Sequence, residues 1–207
     1  MGSGHDHGLS EIRHEKPLWW ALGLTGTFLV AEVIGGLLTN SLALLSDAAH
    51  MATDTAGLVI ALVAVRLARR PPDARRTFGY ARLEALGALA NGVLLLGVAV
   101  YILWEAVGRF REPPPVAATG MLVIAVAGLL VNLIAMRLLA AGSSESLNVK
   151  GAYLEVWADM VGSLGVLIAA ALIKVTGWLV LDPILAVLIG LWVLPRTWTL
   201  AREAINV

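Results

Sequence analysis

The sequence predicts an all-α fold: a polytopic membrane protein, built as a bundle of six transmembrane helices with both termini in the cytoplasm. Three observations predict it. The 207 residues are 58% hydrophobic and only 14% charged, with a mean hydropathy of +0.81, which is too little polar side chain to coat a soluble domain of this length. Six apolar stretches are each long enough to cross the bilayer core as a helix of about 20 residues. Basic residues are also strongly biased toward alternate loops.

The predicted spans are 17–39, 42–67, 82–104, 116–138, 150–174 and 178–195. Residues 1–16 read as a cytoplasmic, His-containing leader, without the compact apolar core and small-residue cleavage site of a signal peptide. Residues 17–195 read as the six-helix transmembrane domain and 196–207 as a cytoplasmic tail. With the N-terminus inside, all of the 15 basic residues except Arg109, Arg111 and Lys174 fall on the cytoplasmic side, as the positive-inside rule requires. Trp19, Trp20, Trp104, Trp178 and Trp198 lie near span ends, like an interfacial belt. Trp157 falls within the fifth span and reads as a packed residue.

The connections are consistent with this order. Arg69-Arg70-Pro71-Pro72-Asp73-Ala74-Arg75-Arg76 reads as a cytoplasmic loop that sets topology and meets anionic lipid. Pro113-Pro114-Pro115 breaks the chain after the third span, and residues 141–146 form a short flexible connector. Thr176 and Gly177 make a tight turn between the fifth and sixth spans. Asp182-Pro183 reads as the start of the sixth helix, the carboxylate capping it and the proline fitting its first turn. Gly35-Gly36 and Gly162-x-x-Gly165 read as close helix contacts.

Ionisable residues inside such spans cost about 2.5–3.5 kcal/mol each on insertion scales, so they call for a functional reading. In the second span Asp47, His50 and Asp54 fall at i, i+3 and i+7, one helical stripe. His50 alone would read as a core histidine bonded to a backbone carbonyl; beside Asp54 it reads as a metal ligand. Asp47, nearer the membrane end, is a secondary candidate that also fits a solvated or capping role. The fifth span repeats the four-residue spacing with Glu155 and Asp159, and Lys150 is the only basic residue near them in sequence. Glu32 in the first span is a second secondary candidate, suited to a supporting or proton-route role. Asn91 and Asn132 read as interhelical hydrogen-bonding groups, and Glu84 as a supporting polar group.

Together His50, Asp54, Glu155 and Asp159 make a one-nitrogen, three-carboxylate set. Four ligands suit tetrahedral Zn²⁺, and the hard oxygen donors extend the range to Co²⁺, Cd²⁺ or Mn²⁺ rather than Cu⁺. The chain has no cysteine, so no thiolate competes for that role. The empty set carries a charge of −3 and the loaded set −1 when all three carboxylates are ionised, so protons and metal compete for the same atoms. Such competition is a basis for metal/proton antiport. The tract His5-Asp6-His7, with His14 beyond it, fits either weak metal capture or a solvated tail. The formal net charge of zero argues against nucleic-acid binding.

These residues resemble a known family. Ser41-Leu42-Ala43-Leu44-Leu45-Ser46-Asp47-Ala48-Ala49-His50-Met51 with Asp54 resembles the second helix of the cation diffusion facilitators. Thr77-Phe78-Gly79-Tyr80-Ala81-Arg82-Leu83-Glu84 and Leu147-Asn148-Val149-Lys150-Gly151-Ala152-Tyr153-Leu154-Glu155 with Asp159 resemble other parts of that family's transmembrane domain. The likeness is greatest to its bacterial cobalt–zinc–cadmium resistance branch. It implies a homodimeric exporter in the bacterial cytoplasmic (inner) membrane that exchanges cytosolic divalent metal for protons by alternating access. It also implies no enzymatic activity, no prosthetic group, and a transport site of His50, Asp54, Glu155 and Asp159. Many members have His where this chain has Glu155, which adds a charge and a hard ligand and should relax zinc selectivity. Some carry further metal-binding residues in the loop after the second span; here only Asp73 stands among arginines, so no metal site is expected there. The family usually continues into a cytoplasmic ferredoxin-like domain, which would follow residues 196–207.

Two other classes fit less well. An intramembrane metal-dependent hydrolase needs an open coordination position and a general base, and no His-Glu-x-x-His element or partnered nucleophile accompanies the pairs. A passive cation channel needs no proton coupling, and a structural subunit needs no internal carboxylates.

Overall fold

The computed structural model describes residues 7–68, 81–144 and 147–192, and side-chain surroundings for 17–56, 93–94, 96–144 and 149–192. Among these the chain is helical: α1 (His7–Thr39), α2 (Leu42–Ala68), α3 (Ala81–Arg111), α4 (Ala118–Ala140), α5 (Leu147–Thr176) and α6 (Leu181–Trp192). Each corresponds to one predicted span. The loop 69–76, the motif residues 77–80, the tail 196–207, Trp198, and the side chains of His5, His7, His14, Glu84 and Asn91 lie outside the described residues.

Three of the described helices hold segments long and apolar enough to cross a membrane: Pro17–Thr39, Ala118–Ala140 and Val149–Thr176. Polarity is inverted relative to a soluble protein. Large apolar side chains such as Leu38, Val123 and Val175 are exposed, while Glu32, Asn132, Asp159 and Asp182 are buried. That arrangement suits hydrocarbon outside and polar partners inside.

The chain divides into two compact units, each built from segments distant in sequence. The first contains α1, α4 and α5, with α4 packed between the other two. A Cβ added at Gly35 would lie 2.7 Å from Ile124, one at Gly120 2.7 Å from Thr39, and one at Gly128 2.5 Å from Phe28. The pairing 28/128, 35/124 and 39/120 makes α1 and α4 antiparallel, and only glycine permits that approach. The expected close contact at Gly35 is therefore present, while the α4 glycines that answer it had no such reading from the sequence. Farther along, Ala21, Ala135, Leu139, Val149 and Val156 form an apolar cluster among α1, α4 and α5. The buried positions of α4, Met121, Ala125, Gly128, Asn132, Ala135 and Leu139, recur every three or four residues, one stripe of a helix.

The end of α1 shows why the chain stops being helical there. Asn40 adopts φ 55°, and the Ser41 amide donates to the Gly36 carbonyl at 3.0 Å. This is a Schellman-type ending with Asn in the left-handed position. At the end of α5, Gly177 takes φ +70° and its amide donates to the Ile173 carbonyl at 2.8 Å. The tight turn expected at Thr176-Gly177 is thus a helix C-cap that needs glycine.

The second unit contains α2, α3 and α6. Leu42, Ile102, Ala106 and Ala186 form its buried cluster. Here the structure adds to one expectation and corrects another. Asp182 caps α2: its Oδ2 accepts from the Leu42 amide at 2.8 Å and its Oδ1 from the Ala43 amide at 3.1 Å. Arg109, expected in a loop outside the membrane, is only 8% exposed. Its Nε donates to Glu105 Oε1 at 3.0 Å and its Nη1 reaches Asp182 Oδ2 at 3.5 Å. These partners explain why α3 continues past the predicted end at Trp104, up to the prolines at 113–115. A second correction concerns Trp157, which is 49% exposed rather than packed. It falls off the buried stripe through Val156, Asp159 and Ser163. Trp19, Trp20, Trp104 and Trp178 are exposed, as a belt requires.

The glycine contacts give a paired test. Gly128→Val should lower stability by about 1–3 kcal/mol through overpacking against Phe28. Gly23→Val, where an added Cβ meets nothing within 4 Å, should change it little. Thermal unfolding of the two purified variants in detergent compares them directly.

Candidate metal-binding site

The second helix carries the first candidate pair. Asp47, His50 and Asp54 all lie within α2, on the stripe their spacing predicts. His50 Nδ1 faces Asp54 Oδ2 at 3.6 Å. His50 is 8% exposed and Asp47 2%, so the solvated reading of Asp47 is overturned: the side chain points into the protein. The helix around them is anchored by hydroxyls. Thr53 Oγ1 donates to the His50 carbonyl at 2.6 Å, and Ser46 Oγ donates to the Ala186 carbonyl of α6 at 3.1 Å.

In the other unit, Glu155 and Asp159 sit one turn apart on α5, with Asp159 buried and Glu155 partly so. The buried face of α5 continues through Ser163, whose hydroxyl accepts from Asn132 Nδ2 of α4 at 3.3 Å. The interhelical role expected for Asn132 is therefore observed. Ser163 itself had no functional reading, although it extends the 155/159 spacing by one more turn. Glu32 is 1% exposed on α1, between Phe28 and Gly35 on the face turned to α4. Lys150 is exposed at the start of α5.

The structure thus brings His50 to Asp54 on one helix and places Glu155 and Asp159 on one face of another. Among the described residues, no group of three or more His, Cys, Asp or Glu side chains gathers closely enough to hold a metal ion. Each pair taken alone offers two donors, a carboxylate with an imidazole or a carboxylate with a carboxylate. Two donors are fewer than the four of a tetrahedral zinc site.

Helices apolar on their outer faces, with carboxylates and imidazole inside, define an all-helical membrane protein. Residues 18–207 match the family model described as the cation efflux transmembrane domain, and the chain belongs to that family. It is 58% identical, over its full length, to the metal cation efflux system protein CzcD of Cupriavidus metallidurans, of which it covers 65%. It is 47% identical to the zinc transporter ZitB of Escherichia coli, covering 67% of that protein. Over 99% of its length it is 43% identical to a Bacillus velezensis protein named as a cadmium, cobalt and zinc/H(+)-K(+) antiporter, covering 66% of it. The chain therefore spans about two thirds of the length of these relatives.

The Asn132–Ser163 bond makes a measurable claim. Removing either partner should cost about 0.5–1.5 kcal/mol. In a double-mutant cycle of Asn132→Ala and Ser163→Ala, the coupling should be about 0.6 kcal/mol, as for hydrogen bonds between membrane helices. Unfolding in mixed micelles reads both quantities.

Proposed function

We propose that this chain is the membrane portion of a divalent metal cation exporter, and not an enzyme. It exchanges cytosolic Zn²⁺, and also Co²⁺ and Cd²⁺, for protons by alternating access. One observation carries the reading: two four-spaced pairs of ionisable donors, His50 with Asp54 and Glu155 with Asp159, lie within apolar helices. The family membership and the names of the relatives support the same cargo and the same proton coupling. In this reading all six helices span a bacterial inner membrane, both termini lie in the cytoplasm, and the working form is a homodimer.

The proposed ligands are His50, Asp54, Glu155 and Asp159, with Asp47 and Glu32 in supporting roles. The mechanism follows from charge. Emptied of metal, three carboxylates close together in a medium of low dielectric repel one another, and binding protons lowers that cost. A divalent ion lowers it too, but only where the same oxygens have shed their protons. Metal therefore enters from the side where proton activity is low and leaves where protons outcompete it. Imidazole at His50 supplies the one neutral donor, so its protonation expels the ion without leaving a further anionic charge behind. A carboxylate at Glu155 can chelate through both oxygens, which accommodates ions larger than Zn²⁺.

Flux into proteoliposomes under an imposed pH gradient tests the assignment. Asp54→Ala and Asp159→Ala should each cut Zn²⁺ transport by about 100-fold or more, since even outer partners of metal ligands are worth 10–100-fold; normal flux in either variant would refute it. Equilibrium metal affinity should fall as pH is lowered, because protonation fills the donor lone pairs. Binding that is flat with pH would remove the basis for exchange. Glu155→His should shift preference toward Zn²⁺ in competition with Cd²⁺, measured by displacement of one ion with the other.

A further inference from the structure

The first turn of α2 is held by a side chain 140 residues away in sequence. The leading amides of a helix have no partner within it. Here Asp182 of α6 takes two in succession, Leu42 through Oδ2 at 2.8 Å and Ala43 through Oδ1 at 3.1 Å. Successive amides of a helix all point along its axis but stand about 100° apart around it and about 1.5 Å apart along it, so one planar carboxylate accepts both only within a narrow range of rotation and height of α2. One turn farther on, Ser46 Oγ donates to the Ala186 carbonyl at 3.1 Å. Helix α6 therefore grips α2 at two points along its axis.

The grip is itself braced. Asp182 is fully buried, at 0% exposure, and Arg109 Nη1 lies 3.5 Å from its Oδ2. Arg109 in turn is held by Glu105 at 3.0 Å. The guanidinium and the positive end of α2 together compensate the buried carboxylate. From Leu42 to Asp47 the axial distance is about 7.5 Å, and to Asp54 about 18 Å, at 1.5 Å per residue. A change in the azimuth of the first turn therefore swings the whole stripe.

We infer that Asp182, backed by Arg109 and Glu105, is a positioning residue for metal binding: it sets the rotation and height of α2, and so the direction in which His50 and Asp54 project. The inference rests on the α2 stripe being part of the transport site. Metal–ligand bonds tolerate about 0.2 Å, so a cap that merely loosens will be felt at the ligands. A purely stabilising role predicts something different: less folded protein, but unaltered affinity in what remains.

The full chain is purified in detergent, its folded fraction isolated by size exclusion, and Cd²⁺ and Zn²⁺ binding titrated calorimetrically. The Arg109→Met/Asp182→Asn double variant removes the cap's charge together with its buried counter-charge, and Arg109→Met alone, titrated beside it, reads the effect of leaving Glu105 without its guanidinium partner. The affinity of the double variant should fall by about tenfold, within the range for groups that orient metal ligands. Ile102→Val, in the same buried cluster but outside the cap, should keep wild-type affinity in its folded fraction. Wild-type affinity in the folded double variant overturns the proposal. Should that variant not be recovered folded, Asp182→Glu is read instead, since it keeps the charge and moves the oxygens by one methylene; a severalfold loss supports the proposal and wild-type affinity overturns it. Asp54→Ala, titrated alongside, separates the two claims. Unaltered binding there would remove the transport-site reading itself, whereas lost binding there with wild-type affinity in the cap variant removes only the positioning role.

Discussion

Hydrocarbon offers no hydrogen bonds, so every amide, hydroxyl and charge that this chain carries into apolar helices must find its partner within the protein. The two helical units meet that constraint by different means. In the unit of α1, α4 and α5, glycines at 35, 120 and 128 let backbones approach until side chains interlock, and the Asn132–Ser163 bond joins α4 to α5. In the unit of α2, α3 and α6, a chain of charges from Glu105 through Arg109 to Asp182 ends on the amides of α2. The first solution is close packing of small residues; the second is compensation of a buried carboxylate by a guanidinium and a helix end.

These two solutions suit the proposed ligand pairs they carry. Asp159 and Glu155 lie on a helix fixed by tight apolar contact, where Val149 and Val156 of α5 pack with Ala135 and Leu139 of α4. His50 and Asp54 lie on a helix whose start is held by polar contacts from α6. Polar contacts are directional, and they determine rotation about the helix axis more sharply than apolar packing does. A metal ligand needs direction as well as proximity, since a carboxylate turned through a fraction of a helical turn presents its lone pairs elsewhere.

In the proposed transport cycle the same physics decides what moves. An empty cluster of carboxylates is costly in a low-dielectric setting, and either a cation or protons relieve it. In that cycle the proton gradient supplies the energy, because the proposed site's electrostatics exclude both occupants at once. Glu155 sharpens this, since a third acidic donor raises both the affinity for a hard cation and the penalty for leaving the site empty.

Much of the architecture was legible from sequence because it is written in local terms. Apolar length and punctuation by the triple proline and Gly177 placed the helices. Periodicity put Asp47, His50 and Asp54 on one stripe of α2, and Glu155 and Asp159 on one face of α5. What stayed hidden is what depends on distant partners. The cap preference of an Asp-Pro pair is local, but the α2 amides that Asp182 accepts from lie 140 and 139 positions away, beyond the reach of any local pattern. The charge of Arg109 looked like a loop residue because its counter-ion Asp182 is 73 positions away. Trp157 looked packed because depth along a span was read without the rotation of the helix. Sequence by itself determined which residues are apolar, where helices start and stop, and which donors share a helix. Only the tertiary structure decided which charges neutralise one another and which backbones touch, because those depend on distances between segments that local preference does not encode.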